Sequence, residues 1–263
     1  MTTIKSVCDF LTSLAPLELA EDWDNVGLLV GDDQRPAARI MTCLTVTPGS
    51  AAEAIGRKAD LIVSHHPMPF RPLKRITTAD TVGRLIWSLA ASRIAIYSPH
   101  TAFDSAREGI NQLISEGIGL QKISPLIESV DLGADLGAGR WGSAPGPVDL
   151  QQLADDTKKF LKVDQVRVCG ELSRNLTKVA VACGSAGQFL HDAKRLGCDA
   201  LVTGETTFHT CLEAEAIGLG LVLVGHFASE RFGVERLAKV IADEFDEIEA
   251  WASLEERDPL QVV

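Results

Sequence analysis

Short apolar runs rich in β-branched residues recur along the chain, each followed by a segment of helical period. This alternation limits the fold more than any other feature. RIMTCLTV, LIVSHH, IAIYSPH, KVAVACG, ALVTGE and LVLVGH are each of strand length and almost continuously apolar, as strands buried on both faces must be. VGLLVG and QVRVCG read as further strands. Helical periodicity covers Ile4 to Leu14, SAAEAIGRK, TVGRLIWSLAAS, the residues after Asp104, LQQLADDTKKFL, AGQFLHDAKRLG, FHTCLEAEAIG and SERFGVERLAKVIADEF. The pattern predicts an α/β fold made of two α/β domains with mostly parallel sheets. From Asp131 to Pro147 the stretch DLGADLGAGRWGSAPGP holds five glycines and two prolines and reads as a linker or a glycine-bearing loop. A domain boundary is placed there, giving a first domain over 1–130 and a second over 131–263, whose C-terminal helix is free to pack back on the first. The tail EIEAWASLEERDPLQVV carries no clear element.

Composition narrows the class. With 263 residues, 46% of them hydrophobic, the chain can bury a sizeable core. A net charge of −11 without a Lys/Arg cluster longer than a pair argues against a broad nucleic-acid footprint. The six cysteines form no C-x-x-C pair and mostly sit in apolar runs, which fits core positions in a reducing compartment. The N-terminus lacks the basic and apolar segments of a leader, and no apolar run reaches the roughly twenty residues of a membrane span. A cytoplasmic protein without membrane contact is expected.

In open parallel sheets ligands gather beyond the carboxyl ends of strands, so the polar residues that end the apolar runs matter most. LIVSHH ends in His65 and His66, IAIYSPH in His100 with Asp104 four residues on, ALVTGE in Glu205 with His209 four on, and LVLVGH in His226 with Glu230 four on. Five of the six histidines lie at such ends, and only His191 reads as an ordinary helix-surface residue. One histidine at a strand end is usually a hydrogen-bonded structural group; the repeated pairing with a carboxylate makes a shared metal site the better reading. Pro67 is expected to stop the strand so that the two adjacent rings can diverge toward different ions. Imidazole and carboxylate donors without thiolate suit zinc, iron, manganese, nickel or cobalt. Zinc-finger, H-E-x-x-H, P-loop and dinucleotide patterns are absent.

WDNVGLLVGD, SHHPMPF, PHTAFD, ALVTGETTFH and GHFASE, in this order, resemble the Nif-three-like dinuclear-metal proteins, often labelled GTP cyclohydrolase 1 type 2 homologues. The resemblance runs over nearly the whole chain. It implies two divalent ions per subunit in a cleft between two α/β domains, with His65, His66, Asp104, His226 and Glu230 as ligands. It further implies a catalytic or proton-moving role for His100 beside the ions, with Glu205 and His209 in the cavity wall. It also implies a homohexameric ring, and the chain looks like the short form without an inserted domain. The expected activity is metal-dependent hydrolysis of a nucleotide, phosphoester or cyclic amide through a metal-bound hydroxide. The alternative is a non-catalytic protein that binds or delivers metal, or acts as a scaffold. Trp23, Asp24 and Asn25 are placed beside the site, where a turn capping a strand is an equal reading. Gly184, Ser185 and Gly187 open a helix after a strand and could receive a phosphate or merely make a tight turn. Cys183 reads as core.

Overall fold

The computed structural model describes residues 1–129, 132–133 and 135–261. The chain divides into two compact units, one formed by Met1–Phe103 with Arg231–Val263, the other by Asp104–Glu230. The boundary expected between residues 130 and 131 lies outside the described residues.

The first unit is built on a five-stranded sheet in the order Gly27–Val30, Ala95–Ser98, Leu61–Ser64, Arg39–Cys43, Glu249–Ala252. Its last three pairings are parallel and its first is antiparallel. Leu61–Ser64 and Ala95–Ser98 are buried along their whole length, which accounts for their unbroken apolar sequences. Helices start where the side chains cap them. Thr3 accepts from Ser6 N–H at the head of Ile4–Leu14, Thr47 and Ser50 form a reciprocal box at Pro48–Gly56, and Asp80 accepts from Gly83 N–H at Thr81–Ala91. Met41, Ile62, Leu85, Ile86, Leu89 and Ile96 fill the layer between strands and helices. The unassigned tail supplies a strand: Glu249–Ala252 pairs in parallel with Arg39–Cys43. Glu53 receives the Trp251 indole N–H at 2.9 Å and the Ser253 hydroxyl at 2.6 Å, and the Arg57 guanidinium lies 3.8 Å from the Trp251 ring centroid.

In the second unit the expectation of a mostly parallel sheet is corrected. Its six strands run Gln121–Ser124, Arg140–Asp149, Asn175–Ser185, Ala200–Glu205, Gly220–Leu223, Arg167–Cys169, and only the two central pairings, on either side of Ala200–Glu205, are parallel. The reason lies in the glycine- and proline-rich stretch, much of which is the long antiparallel strand Arg140–Asp149. Leu176 pairs with Val148 and Lys178 with Ser143, so residues 144 to 147 swell out of the ladder. Pro145 and Pro147 fall there, where no N–H is needed. Among the described residues no helix is long and apolar enough to cross a membrane.

Arg140, at the start of that strand, is buried in this unit, and among the described residues its hydrogen-bond partners are carbonyl oxygens and an amide side chain. Its Nη1 donates to the carbonyls of Gly137 and Gly139, both at 2.7 Å, its Nη2 to those of Ser105 and Ala106 at 3.1 and 2.7 Å, and its Nε to Gln112 Oε1 at 2.9 Å. Burial pushes its pKa down to about 10, with Asp135 pulling the other way. It remains charged at neutrality and closes the carbonyl end of the segment that carries Asp104. Arg140→Met should therefore lower the unfolding free energy by about 3 kcal/mol, because four buried carbonyls lose their donor. Urea denaturation reads this, and a loss below about 1 kcal/mol would show that those carbonyls are satisfied without it.

Candidate metal centre

In the first unit the parallel strands end side by side. Beyond Leu61–Ser64 come His65 and His66, and beyond Ala95–Ser98 comes His100, the first residue of the helix His100–Ser105. One potential ligand atom from each of His65, His66 and His100 lies within 4.8 Å of the other two. The two adjacent rings do not part to opposite faces, as strand geometry would require; their centroids are 5.3 Å apart at 52°. The strand stops at Ser64, before the pair. His65 N–H and His66 N–H still bond to the carbonyls of Cys43 and Leu44 at 2.9 and 2.8 Å. Ser98 Oγ donates to the His65 carbonyl at 2.6 Å, and Ser64 Oγ to that of His66. Sequence neighbours are thus aimed to one side by backbone ties.

Ring orientation is set through Nδ1. Thr45 Oγ1 lies 2.7 Å from His66 Nδ1, and Asp24 Oδ1 accepts from His100 Nδ1 at 2.7 Å. Each contact turns Nε2 toward the ligand side. Asp24 also accepts from the Thr101 N–H at 3.1 Å and from its hydroxyl. Burial raises the Asp24 pKa, but the hydrogen bonds from His100 and Thr101 outweigh it and hold the carboxyl below its ordinary value. His100 has φ +29, a sparsely populated backbone state costing about 1–3 kcal/mol in a residue with a Cβ. Behind His66, Glu256 clamps Leu44 N–H and Thr45 N–H, one on each oxygen at 2.7 Å. Burial pushes the Glu256 pKa up, against those donors and Arg231.

In the second unit the central strands deliver Gly184, Glu205 and His226. The strand Gly220–Leu223 ends early, so that His226 opens the helix His226–Glu244, and Glu230 stands four residues along the same helix face. His226 Nδ1 lies 3.0 Å from Glu205 Oε1 and its Nε2 lies 3.1 Å from Glu230 Oε2. The hydrogen bond to Glu230 raises the His226 pKa to about 9, against burial and with further help from Glu205; this pocket favours a positive charge. Gly184, at φ +65, underlies it, since a Cβ there would stand 2.4 Å from Glu230 Oε1. Gly184 N–H donates to Ser229 Oγ at 3.0 Å, and that hydroxyl donates to the His226 carbonyl at 2.8 Å. Asn111 is buried in the same unit; its Nδ2 donates to the Asp104 carbonyl at 3.1 Å while its Oδ1 accepts from Cys183 N–H at 2.7 Å. Asp104 is itself half-buried.

Nitrogen and carboxylate donors, Nδ1 ties and a glycine cradle together fit a borderline divalent cation. The structure gathers His65, His66 and His100 with Asp24 in one unit, and His226, Glu230 and Glu205 in the other. Trp23 is exposed beside His100, and Asn25 Nδ2 donates to the Pro69 carbonyl at 2.7 Å. His209 is exposed on the helix Phe208–Ile217, its ring against the exposed Phe208, while Glu205 ends the preceding strand Ala200–Glu205. His191 lies on the surface, with Nε2 2.9 Å from Glu213. Cys183 is buried, and burial with the charges of Asp104 and Glu230 pushes its thiol well above the usual range, so it remains protonated. No motif marks Thr45, Asn111 or Glu256, and Ser229 lies inside GHFASE without being singled out there; Thr45 alone could be sought by the strand-end rule.

A model of the Duf34/NIF3 (NGG1p interacting factor 3) family matches residues 2–259. A Clostridium perfringens protein named "GTP cyclohydrolase 1 type 2 homolog" is 32% identical over 99% of both chains, and a Helicobacter pylori protein named "GTP cyclohydrolase 1 type 2" is 28% identical over the full length of both. The crystal structure of a Bacillus cereus protein related to NIF3 superposes with a TM-score of 0.89 at 24% identity, over 100% of this chain and 99% of the other.

Thr45→Val and Glu256→Gln should each weaken divalent-metal retention by about tenfold or more, since both loosen the hold on His66 Nδ1. Competition with a chromogenic chelator measures it. Unchanged retention in both variants would deny Thr45 its orienting role.

Proposed function

The chain belongs to the Duf34/NIF3 family, and from that premise we propose that it is a dinuclear metal-dependent hydrolase. His65, His66, Asp104, His226 and Glu230 hold the two ions, and the substrate is a nucleotide, a phosphoester or a cyclic amide. The observation that carries this reading is the common arrangement of His66, His100 and His226: in each ring Nδ1 is taken by an oxygen of Thr45, Asp24 or Glu205, which directs Nε2 to ligand or substrate. The names of the Clostridium perfringens and Helicobacter pylori relatives support the hydrolytic class. When bound, the ions supply Lewis acidity and lower the pKa of water.

The remaining work falls to the chain. Glu205 fixes the tautomer of His226 by accepting its Nδ1–H, and Glu230 adds the negative charge that keeps a cation in place. Asp24 stays ionised and holds a proton on His100 Nδ1, so that His100 Nε2 can take a proton from the attacking water and return it to the leaving group. The same proposal includes the hexameric assembly of subunits, which light scattering checks.

His226→Ala and Asp104→Ala should each remove most bound metal without loss of solubility, because both side chains lie beyond the ends of the sheet strands. Elemental analysis of protein purified without added metal gives the baseline. His100→Ala should keep the metal and lose about 100-fold or more of the hydrolytic rate. Stoichiometric metal with no turnover of any phosphoester, nucleotide or cyclic amide would replace the hydrolase by the non-catalytic metal-binding reading; metal unchanged in both ligand variants would sink the ligand set.

A further inference from the structure

Beside His100 stand two aromatic side chains that the core does not use. Trp23 is 60% exposed and Phe70 is 49% exposed, and their ring centroids are 5.9 Å apart with a 43° tilt. Both meet the His100 ring edge-on, at 5.9 and 6.1 Å between centroids. Rings this exposed are ordinarily held loosely, yet here the backbone around each is tied by polar contacts. Asp24, next to Trp23, is fixed by His100 Nδ1 and Thr101. Asn25 Nδ2 then reaches across to the carbonyl of Pro69, next to Phe70. Two loops distant in sequence are thereby locked so that two aromatic faces remain in water, forgoing burial worth roughly 25 cal/mol per Å².

Directly after Phe70 the chain RPLKR places Arg71, Lys74 and Arg75 on the surface. Three cations in five residues stand out against a net charge of −11 and favour an anion at this place. We propose that Trp23 and Phe70 form a stacking platform for the conjugated ring of an anionic substrate, with Arg71, Lys74 and Arg75 receiving its charged group. At 5.9 Å the two rings leave no slot for a third between them, so the substrate ring lies on their exposed faces, within reach of the His100 imidazole. Trp23 and Phe70 are specificity-determining residues in this scheme. It rests on the hydrolase reading for its reaction, and on the platform geometry alone for its ligand class. Leu73 and Ile76, also exposed in the segment, make contact with a second copy of the chain the competing occupant.

The test uses the full chain loaded with metal, and calorimetric titration with GMP, UMP and FMN, three different conjugated rings bearing a phosphate, beside ribose 5-phosphate, which has none. Trp23→Ala and Phe70→Ala should each weaken the ring-bearing probes that bind by about tenfold or more, with Trp23→Phe restoring most of the loss and ribose 5-phosphate unaffected. The triple change Arg71→Ala, Lys74→Ala and Arg75→Ala should weaken every probe. Metal content stays constant in all of them. No binding of any ring probe by fully metal-loaded protein overturns the platform, as do equal losses for ribose 5-phosphate. A smaller assembly mass in both aromatic variants with ring binding unchanged overturns it too, and assigns the pair to a contact between copies. Ring-selective binding by protein that holds no metal would keep the platform and discard the dinuclear reading, so the two fail separately.

Discussion

An imidazole at a strand end has two nitrogens and can offer only one to a ligand, so the other must find an oxygen if the ring is to stay both buried and aimed. That requirement organises much of what surrounds the candidate site. Thr45 serves His66, Asp24 serves His100 and Glu205 serves His226. Two of the three supporting groups have their own support: Glu256 clamps the backbone at Thr45, and Thr101 completes the hydrogen bonding of Asp24. Because the oxygens that serve Nδ1 come from other strand ends or loops, the rings are ordered only when the sheets are.

Unusual backbone geometry occurs at the same places. His100 holds a positive φ that a side-chain-bearing residue seldom takes, and the helix it opens carries Asp104 on its next turn. Gly184 solves the converse problem by having no Cβ where the Glu230 carboxylate must pass. Such departures from relaxed geometry persist where surrounding contacts over-determine the backbone. Here those contacts are Asp24 on His100, and Ser229 with Asn111 on the strand end at Cys183 and Gly184.

Much of the architecture was legible in local pattern. The runs Leu61–Ser64, Ala95–Ser98 and Ala200–Glu205 were readable as strands because burial on both faces leaves no polar alternation, and Leu150–Leu161 as a helix because one apolar stripe recurs along it. Several strands escaped, Arg140–Asp149 and Glu249–Ala252 among them. Arg140–Asp149 looked like a loop since its prolines and glycines mask a ladder that simply swells around them. Glu249–Ala252 looked featureless because an edge strand half in solvent needs little apolar sequence and depends on Glu53 and Arg57, far away in the chain. The spacing of four between chemical residues was informative where both fell on one helix, as in His226 and Glu230. At Glu205 and His209 the same spacing joins a strand end to a helix start.

The sequence by itself determined the α/β class and which polar residues end the strands, because burial patterns and chain-local spacing are properties of neighbouring residues. Even at LIVSHH it specified that two imidazoles follow a buried strand, though not that both would turn to one side. Only the tertiary structure decided that direction, the ring orientations set by Thr45, Asp24 and Glu205, the buried guanidinium of Arg140 and the pairing of Trp23 with Phe70. Each of these depends on an oxygen or a ring supplied from elsewhere in the chain, and such distant partners leave no period for a sequence to show.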